Sequence, residues 1–298
     1  MKYGYSIPAI ICVGFAGPVA AQSAADGFYT NGVVELEYFD GSGPSDTLGY
    51  ANADFGITPS AGGFGFDLGV EALSIDGADD AALYGALSYS GGFGKVQIGA
   101  PRAVIDDYVA VPTLGGLEFF DLSLASAFDG SAVSRAYLLS GSDAPLGLRY
   151  DGTFGTTRLG ASYHSIEGTD VINLAANYRI GEATLRGAVE HLRDDGGSAT
   201  SYFLGAESQL GPVNAGILYS NLGASGDAEA LRLYATYKPI DQLALTANVA
   251  AVDTGSSNST LYGLSADYTF NQGVYVQAGV ADGNSSTSVY NLSLGLKF

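Results

Sequence analysis

Tyr290-Asn291-Leu292-Ser293-Leu294-Gly295-Leu296-Lys297-Phe298, the last nine residues of the chain, alternate between apolar and polar or small side chains. The apolar side chains take every second position: Tyr290, Leu292, Leu294, Leu296 and Phe298. Successive side chains of a β-strand point to opposite faces, so a period of two predicts a strand with one apolar and one polar face.

The same alternation runs through the rest of the chain once the first twenty-odd residues are passed. Helical periodicity does not persist for three turns anywhere, and the 43 glycines would weaken any helix. The chain is therefore predicted to be all-β. Turn signals divide it into sixteen predicted strands at 32–39, 46–57, 64–75, 81–90, 95–101, 145–154, 156–166, 170–180, 183–191, 200–210, 212–221, 229–238, 242–252, 259–270, 273–282 and 287–298.

The connections between these strands are of two alternating kinds. One kind is tight, as at Gly181-Glu182 and Gly211-Pro212, and the other is longer and rich in Asp, Gly and Ser, as at 193–199 and 253–257. Many strands have ten to twelve residues, near the roughly 9–11 that a tilted membrane-spanning strand needs. Short turns at one end and longer polar loops at the other predict a 16-stranded antiparallel transmembrane β-barrel.

The composition excludes several other classes. The chain has 298 residues, Lys+Arg 12 against Asp+Glu 31, and a formal net charge of -19, so it would repel a nucleic acid. Its hydrophobic content of 47% and aromatic content of 11% are too high for a disordered acidic chain.

The first residues form a predicted signal peptide. Lys2 supplies a positive charge, residues 7–15 are mostly apolar, and small side chains precede a cleavage point after Ala21. The apolar stretch is shorter than the roughly 20 residues of a membrane-spanning helix. Removal of residues 1–21 would also remove Cys12, the only cysteine, and leave residues 22–298 as one exported barrel domain without disulfides.

One connection is exceptional, because residues 101–144 contain no clear strand. Connections of this length in a compact protein are usually functional or disordered. The segment carries apolar side chains such as Val104, Ile105 and Leu117, which would not be stable in water. A sixteen-stranded barrel encloses an aqueous channel. This third outer loop is therefore predicted to fold into the lumen and narrow it.

Two stretches of the chain resemble a known family. Gly92-Phe93-Gly94-Lys95-Val96-Gln97-Ile98-Gly99 leads directly into the long loop, and residues 262–298 form the terminal strands. Together they resemble the trimeric general-diffusion porins of the Gram-negative outer membrane, closest to the alphaproteobacterial, Rhodobacter-like type. The resemblance implies a homotrimer with three water-filled pores. It also implies that Tyr290, Leu292, Leu294, Leu296 and Phe298 form the signal that the barrel-assembly machinery reads.

The resemblance further implies a constriction in which acids of the third loop face arginines of the opposite wall. The acidic side would come from Asp106, Asp107, Glu118 and Asp121. Strand alternation independently directs five arginines into the lumen, since an arginine that faces lipid costs about 2–4 kcal/mol near the midplane: Arg149, Arg158, Arg179, Arg186 and Arg232. For each arginine an alternative stays open, in which it pairs with a lumen acid such as Glu190 and only stiffens the wall.

These features predict passive diffusion of small hydrophilic solutes and ions, with mild cation selectivity because of the negative net charge. A substrate-selective outer-membrane channel with a lumen binding site is the alternative. Its signature would be a ladder of aromatic side chains in the lumen, for which Tyr84, Tyr234 and Tyr275 are the candidates.

An enzyme is not expected, because the only imidazoles are His164 and His191 and no G-x-S-x-G motif occurs. No cofactor is predicted. Acidic loop residues could hold structural Ca²⁺, alone or bridging lipopolysaccharide phosphates, although a solvated acidic loop is the simpler interpretation: Asp76, Asp79, Asp80, Asp194 and Asp195. The expected surroundings are outer-membrane lipid and lipopolysaccharide, reached through the periplasm.

Overall fold

A computed structural model describes residues 27–41, 46–75, 78–118, 126–223, 228–283 and 286–298. The predicted signal peptide, residues 1–21, lies outside these ranges, as do Asp76 and Asp121. Within them, no helix combines the length and the hydropathy that crossing a membrane requires.

The described residues form sixteen strands, close to the predicted positions. They are β1 Phe28–Asp40, β2 Asp46–Ile57, β3 Gly63–Ile75, β4 Ala78–Gly91, β5 Gly94–Ala100, β6 Leu146–Phe154, β7 Thr157–Ile166, β8 Thr169–Ile180, β9 Ala183–Asp194, β10 Gly197–Leu210, β11 Val213–Leu222, β12 Ala228–Ile240, β13 Leu243–Asp253, β14 Asn258–Thr269, β15 Val274–Gly283 and β16 Ser286–Lys297.

The strands form one closed antiparallel barrel in sequence order, which confirms the predicted fold. Its seam joins the first and last strands, with Val34 opposite Leu296 and Asp40 opposite Tyr290. Beyond the last ladder pair, Gly32 and Phe298 exchange two backbone hydrogen bonds of 2.8 and 3.0 Å. Closure leaves no strand edge open along the seam, as a barrel in lipid requires.

The barrel is inverted relative to a water-soluble protein. On β1, Leu36 points outward and is 57% exposed, whereas its neighbour Glu37 points inward and is fully buried. Leu292 and Leu294 of β16 lie on the same outward face and are more than half exposed. The period of two read from the sequence is therefore an alternation between lipid and lumen.

The two ends of the barrel differ as predicted, with one correction. At the turn end, two-residue turns place Gly155, Gly181 and Gly211 at φ between 61° and 63°, which glycine adopts without strain. At the loop end, the predicted loose loop at 193–199 is wrong, because β9 and β10 continue to a two-residue connection at 195–196. The Asp194 carboxylate caps this turn by accepting hydrogen bonds from the N–H groups of Gly196 and Gly197, at 2.7 and 2.9 Å.

The long connection between β5 and β6, residues 101–145, is called the inner loop. Its described residues, 101–118 and 126–145, include the helices α1 Val104–Tyr108, α2 Ser126–Asp129 and α3 Ala132–Leu139, and a 3₁₀ turn at Leu114–Gly116. Its side chains at Val104, Ile105 and Leu117 are fully buried. The predicted inward fold of this loop is confirmed.

Candidate functional site

The first limb of the inner loop follows the inside of the barrel wall. The Val104 N–H donates to the Ser162 hydroxyl on β7 at 3.2 Å, and the Gly115 N–H donates to the Asn248 side chain on β13 at 3.2 Å. The Asn291 amide on β16 then donates to the Gly116 carbonyl at 2.6 Å. Polar, inward-facing side chains thus hold this limb along the wall from β7 to β16.

The second limb returns across the lumen. The Ser220 hydroxyl of β11 donates to the Phe128 carbonyl, and the Glu190 carboxylate of β9 accepts from the Ser131 hydroxyl and the Ala132 N–H. At the far end of α3, the Tyr137 hydroxyl donates to the Leu83 carbonyl of β4 at 2.9 Å. The second limb is therefore held to β9 and β11 at its start and to β4 at its end.

An open space of about 310 Å³ remains between the inner loop and the wall formed by β1–β7, and it is called the opening. Besides uncharged side chains such as Tyr29, Asn31 and Gln97, four acids and four bases line it. The charged residues are Asp54, Asp67, Asp107, Asp151, Lys95, Arg102, Arg149 and Arg158.

Arg149 connects the two sides of the opening. Its guanidinium pairs with Asp107 of α1 and, at 2.6 Å, with Asp151 on its own strand. A further N–H donates to the Arg102 carbonyl at 3.3 Å. The predicted acid of the loop and the predicted arginine of the wall thus touch instead of facing each other across water.

Arg158 is the more accessible of the two wall arginines. Its guanidinium lies 3.0 Å from Asp151 and stacks 4.2 Å from the centre of the Tyr108 ring. The side chain is nevertheless 39% exposed. It can therefore contact a passing solute while the stacked ring fixes its position.

Two basic residues that line the opening, Lys95 and Arg102, are not among the constriction residues predicted from the sequence. Lys95 of β5 pairs with Asp67 and donates to Thr58 at 3.3 Å. Its alternation with Val96 is the same signal that identified Arg149, so the sequence did contain it. Arg102 stands in the inner loop, where no period of two exists, and only the fold reveals its position.

Arg102 fastens the start of the inner loop to β2 and β3. Its Nε lies 2.8 Å from Asp54, its Nη2 donates to Asn52 at 2.7 Å, and Glu71 lies 3.4 Å from Nη1. The guanidinium also stacks 4.3 Å from the Tyr84 ring. The forked donors of arginine suit such a multiple contact, which lysine could not reproduce.

The other predicted arginines lie away from the opening. Arg186 pairs with Glu207 at 2.5 Å and donates to the Ala110 carbonyl, and Arg232 pairs with Asp129 where both are buried. Both arginines bind the inner loop to the wall. Arg179 shares the inward-facing side of β8 but is exposed at the turn end, where its Nε donates to the Gly181 carbonyl at 3.2 Å.

The remaining predicted acids of the described loop, Asp106 and Glu118, also lie away from the opening and hold the inner loop in place. Asp106 is half-buried and accepts hydrogen bonds from the Ser131 N–H at 2.7 Å and the Ser134 hydroxyl, so it joins α1 to α3. This burial raises the pKa of the Asp106 carboxyl to about 6. The Glu118 N–H donates to Glu37 at 2.9 Å. Of the predicted constriction residues, the structure brings Asp107, Arg149 and Arg158 together.

The three tyrosines proposed as a binding ladder do not form a continuous track. Tyr84 lies under Arg102 on β4, Tyr234 donates to Glu207 at 2.6 Å on β12, and Tyr275 donates to Glu35 on β15. Each hydroxyl or ring is used in packing the wall or holding a charged neighbour.

The two histidines have no catalytic arrangement in the described part of the chain. His164 is buried with its Nε2 at 3.0 Å from the Pro101 carbonyl, and His191 contacts Thr200 on the barrel exterior. Among the described residues, no group of three His, Cys, Asp or Glu side chains could hold a metal ion. Of the calcium candidates, Asp194 caps its own turn and Asp76 lies outside the described residues.

Comparison with known proteins identifies the family. A sequence model described as Gram-negative porin matches residues 9–288. The chain belongs to the Gram-negative porin family. It is therefore an outer-membrane channel protein and not an enzyme.

Solved porin structures share the fold. A triple mutant of the Rhodopseudomonas blastica porin superposes with a TM-score of 0.68 at 18% identity and covers 91% of this chain and 100% of its own. A second variant of that porin gives a TM-score of 0.68 at 19% identity over the same shares. No curated protein sequence matches the chain.

Proposed function

We propose that this porin is a general-diffusion channel for small hydrophilic solutes and ions. The observation that supports this function is the opening of about 310 Å³, lined by charged and polar side chains inside a barrel with an apolar exterior. Solutes cross through this opening, between the inner loop and the wall of β1–β7.

The opening selects by polarity. Its charges form four close pairs that alternate in sign over a short distance, Lys95–Asp67, Arg102–Asp54, Arg149–Asp107 and Arg158–Asp151. A polar solute exchanges hydrogen bonds with such a surface. An apolar solute displaces the hydration of charged groups without replacing it, which is unfavourable.

The constriction residues are proposed to be these eight, with Arg158 as the cation most exposed to solutes. Arg186 and Arg232 take the structural role that the sequence left as an alternative, and they position the inner loop together with Asp106 and Glu118. Arg179 lies outside the constriction because its side chain is at the turn end of the barrel.

Ion selectivity is proposed to be mildly cationic. The four acids and four bases of the opening balance, so the opening itself contributes little preference. The chain as a whole carries a formal charge of -19 and enriches cations around both entrances. This effect should weaken at high salt, where the screening length falls from about 10 Å at 0.1 M to about 3 Å at 1 M.

The assembly is proposed to be a homotrimer in outer-membrane lipid, as is typical of the family. The terminal residues Tyr290, Leu292, Leu294, Leu296 and Phe298 are proposed as the assembly signal. Their outward alternation and the seam contact of Phe298 with Gly32 support this assignment.

Two measurements on the same reconstituted protein test the function. Reversal potentials in a KCl gradient should show a mild preference for K⁺ that decreases with salt, and a chloride preference would contradict the proposed selectivity. Liposome-swelling rates for a series of sugars should fall with solute size and rise linearly with concentration. Saturation by one solute would instead favour a substrate-selective channel.

A further inference from the structure

The two arginines of the opening that stack on tyrosine rings are held in different ways. Arg102 lies 4.3 Å from the centre of the Tyr84 ring, and its side chain is only 14% exposed because two acids also pair with it. Arg158 lies 4.2 Å from the centre of the Tyr108 ring, and within the described ranges Asp151 is its one ion-pair partner. An ion pair of an accessible side chain contributes little. The position of Arg158 therefore depends largely on the ring.

Tyr108 itself is placed by a glycine of the wall. It is the last residue of α1, and it is 1% exposed. Beside it, Gly160 of β7 lies between Asp151 of β6 and Ala175 of β8. A Cβ on Gly160 would lie 2.8 Å from Cζ and from the hydroxyl oxygen of Tyr108, which is too close for any side chain. The missing side chain at Gly160 thus leaves the recess that the tyrosine ring fills.

The seated ring contacts both members of the ion pair between Arg158 and Asp151. Arg158 and Gly160 are two residues apart on β7, so they share the lumen face about 7 Å from each other. The ring beside Gly160 therefore lies against the guanidinium. Its hydroxyl donates to Asp151 Oδ1 at 3.2 Å, the same atom to which Arg158 Nη2 donates at 3.0 Å.

Arg158 has a second place to go if the ring is removed. It is the second residue of β7, next to the turn at 155–156, so its long side chain can also extend past the turn end into water. An arginine in that position takes its charge out of the opening and leaves Asp151 with less compensation. The ring thus decides whether the four bases of the opening balance its four acids.

We propose that Tyr108 is a positioning residue for ion selectivity and that Gly160 seats it. The ring holds the Arg158 guanidinium in the opening, where this cation favours the passage of anions. The inference rests on the proposed function, because Arg158 affects selectivity only if ions cross the opening. It assigns a role in selectivity to an uncharged residue of the inner loop.

Reversal potentials of the reconstituted porin in a KCl gradient test the role of the ring. Tyr108→Leu keeps an apolar side chain without an aromatic face. It should raise the ratio of K⁺ to Cl⁻ permeability about two- to fivefold, the factor by which a cation–π contact at an exposed site shifts an equilibrium. Tyr108→Phe keeps the ring and should retain most of the wild-type ratio.

A matched pair of glycine substitutions tests the recess. Gly160→Ala should push the Tyr108 ring aside and raise the permeability ratio in the same direction as Tyr108→Leu. Gly187→Ala on β9 is the control, because its Cβ would meet only Leu204 Cδ2 at 3.7 Å and the Phe203 carbonyl at 3.9 Å, which are ordinary contacts. It should leave the ratio unchanged.

A double variant separates positioning from a general disturbance of the inner loop. Arg158→Gln alone should raise the permeability ratio. Adding Tyr108→Leu to Arg158→Gln should raise it no further, because the ring then has no cation to hold. An equal effect of Tyr108→Leu in the presence and absence of Arg158 would show that it acts by loosening the loop, which would overturn the proposal.

Two further results would overturn the proposal. One is a wild-type permeability ratio in Tyr108→Leu, and the other is the same raised ratio in Tyr108→Phe as in Tyr108→Leu. In a porin that conducts ions, these results remove the role of Tyr108 and leave the proposed function intact. A wild-type porin that conducts no ions would instead overturn the proposed function and this inference together.

Discussion

At the scale of single residues, Arg149 and Arg179 show why an inward-facing position does not by itself make a constriction residue. Both alternate with apolar neighbours on a strand. Arg149 reaches Asp107 of the inner loop, while Arg179 hydrogen bonds the Gly181 carbonyl at the turn end. The period of two predicts whether a side chain faces the lumen or the lipid. Whether an inward-facing side chain reaches the inner loop depends on its position along the strand.

The first prediction compares these two arginines. Arg149→Gln removes one of four positive charges from the opening and should raise the ratio of K⁺ to Cl⁻ permeability. A unit charge at 4 Å in water contributes about 1 kcal/mol with opposite signs for K⁺ and Cl⁻, so the ratio should rise at most about thirtyfold. Reversal potentials in a KCl gradient measure it.

Two controls accompany this substitution. Arg149→Lys keeps the charge and should leave the ratio near that of the wild type, and Arg179→Gln should leave it unchanged. Equal effects of the two Gln variants would show that position relative to the opening does not matter.

The second prediction concerns the pH dependence of Asp106. Its pKa of about 6 lies above the roughly 3.9 of an unfolded aspartate, so the folded loop favours the protonated carboxyl. The protonated Asp106 carboxyl therefore adds to the free energy of unfolding. This addition is fully present below about pH 4 and is lost as the pH rises through about 6. The amides of 104–109 should therefore be better protected from hydrogen exchange at pH 4.5 than at pH 7, after correction for the intrinsic rate.

Asp106→Asn provides the control for this titration. The variant has no carboxyl to ionise and should lose the difference in protection between the two pH values. The amide of Leu294 on β16 should be equally protected at both pH values in both proteins. A pH dependence that survives in Asp106→Asn would assign the effect to another group.

At the scale of elements, the strands and the inner loop differ in how far the sequence predicts them. A strand between lipid and lumen repeats the same contrast every second residue, so all sixteen strands were found close to their observed positions. The inner loop has no alternation of apolar and polar side chains, and its apolar content indicated only that it is buried. Its contacts with Ser162, Asn248 and Glu190 depend on wall strands distant in the sequence, so they could not be predicted.

The third prediction tests how the return limb of the inner loop is held. Arg232 and Asp129 are both buried, and removal of one member of a buried ion pair typically costs about 3–5 kcal/mol. Arg232→Gln should therefore loosen α2. Faster chymotrypsin cleavage within 126–140 and a noisier open-channel current should result.

A second substitution separates the ion pair from other effects of Arg232. Combining Arg232→Gln with Asp129→Asn removes both charges and should restore part of the protease resistance. Lys238→Gln, at the exposed turn end, should leave cleavage unchanged. A double variant as easily cleaved as Arg232→Gln alone would show that the pair does not hold the loop.

The fourth prediction tests the outward face of the terminal strand. Leu294 points away from the lumen between Leu36 and Val276, so Leu294→Lys should place a charge in lipid at a cost of about 2–4 kcal/mol. Urea unfolding in phospholipid vesicles measures this loss, with Leu294→Val as the apolar control. Equal stabilities of the two variants would mean that this face does not contact hydrocarbon.

At the scale of the whole molecule, the inner loop divides the lumen into two parts. Its limbs contact the wall from β7 to β16 and also β1 and β4, and the opening remains beside the start of the loop along β1–β7. The sequence predicted the barrel and the inward loop, but not which part of the wall stays open. That depends on where the loop leaves β5 and on Arg102, which fastens its start beside β2 and β3.

The absence of cysteine from 22–298 allows this division to be tested directly. Asn31→Cys places a thiol in the opening, and Ser220→Cys places one on the other side, where the hydroxyl of Ser220 binds the Phe128 carbonyl. Single-channel current is recorded before and after a charged methanethiosulfonate reagent is added. The account predicts a stepwise fall in current for Asn31→Cys and no change for Ser220→Cys. Block at Ser220→Cys with none at Asn31→Cys would contradict it.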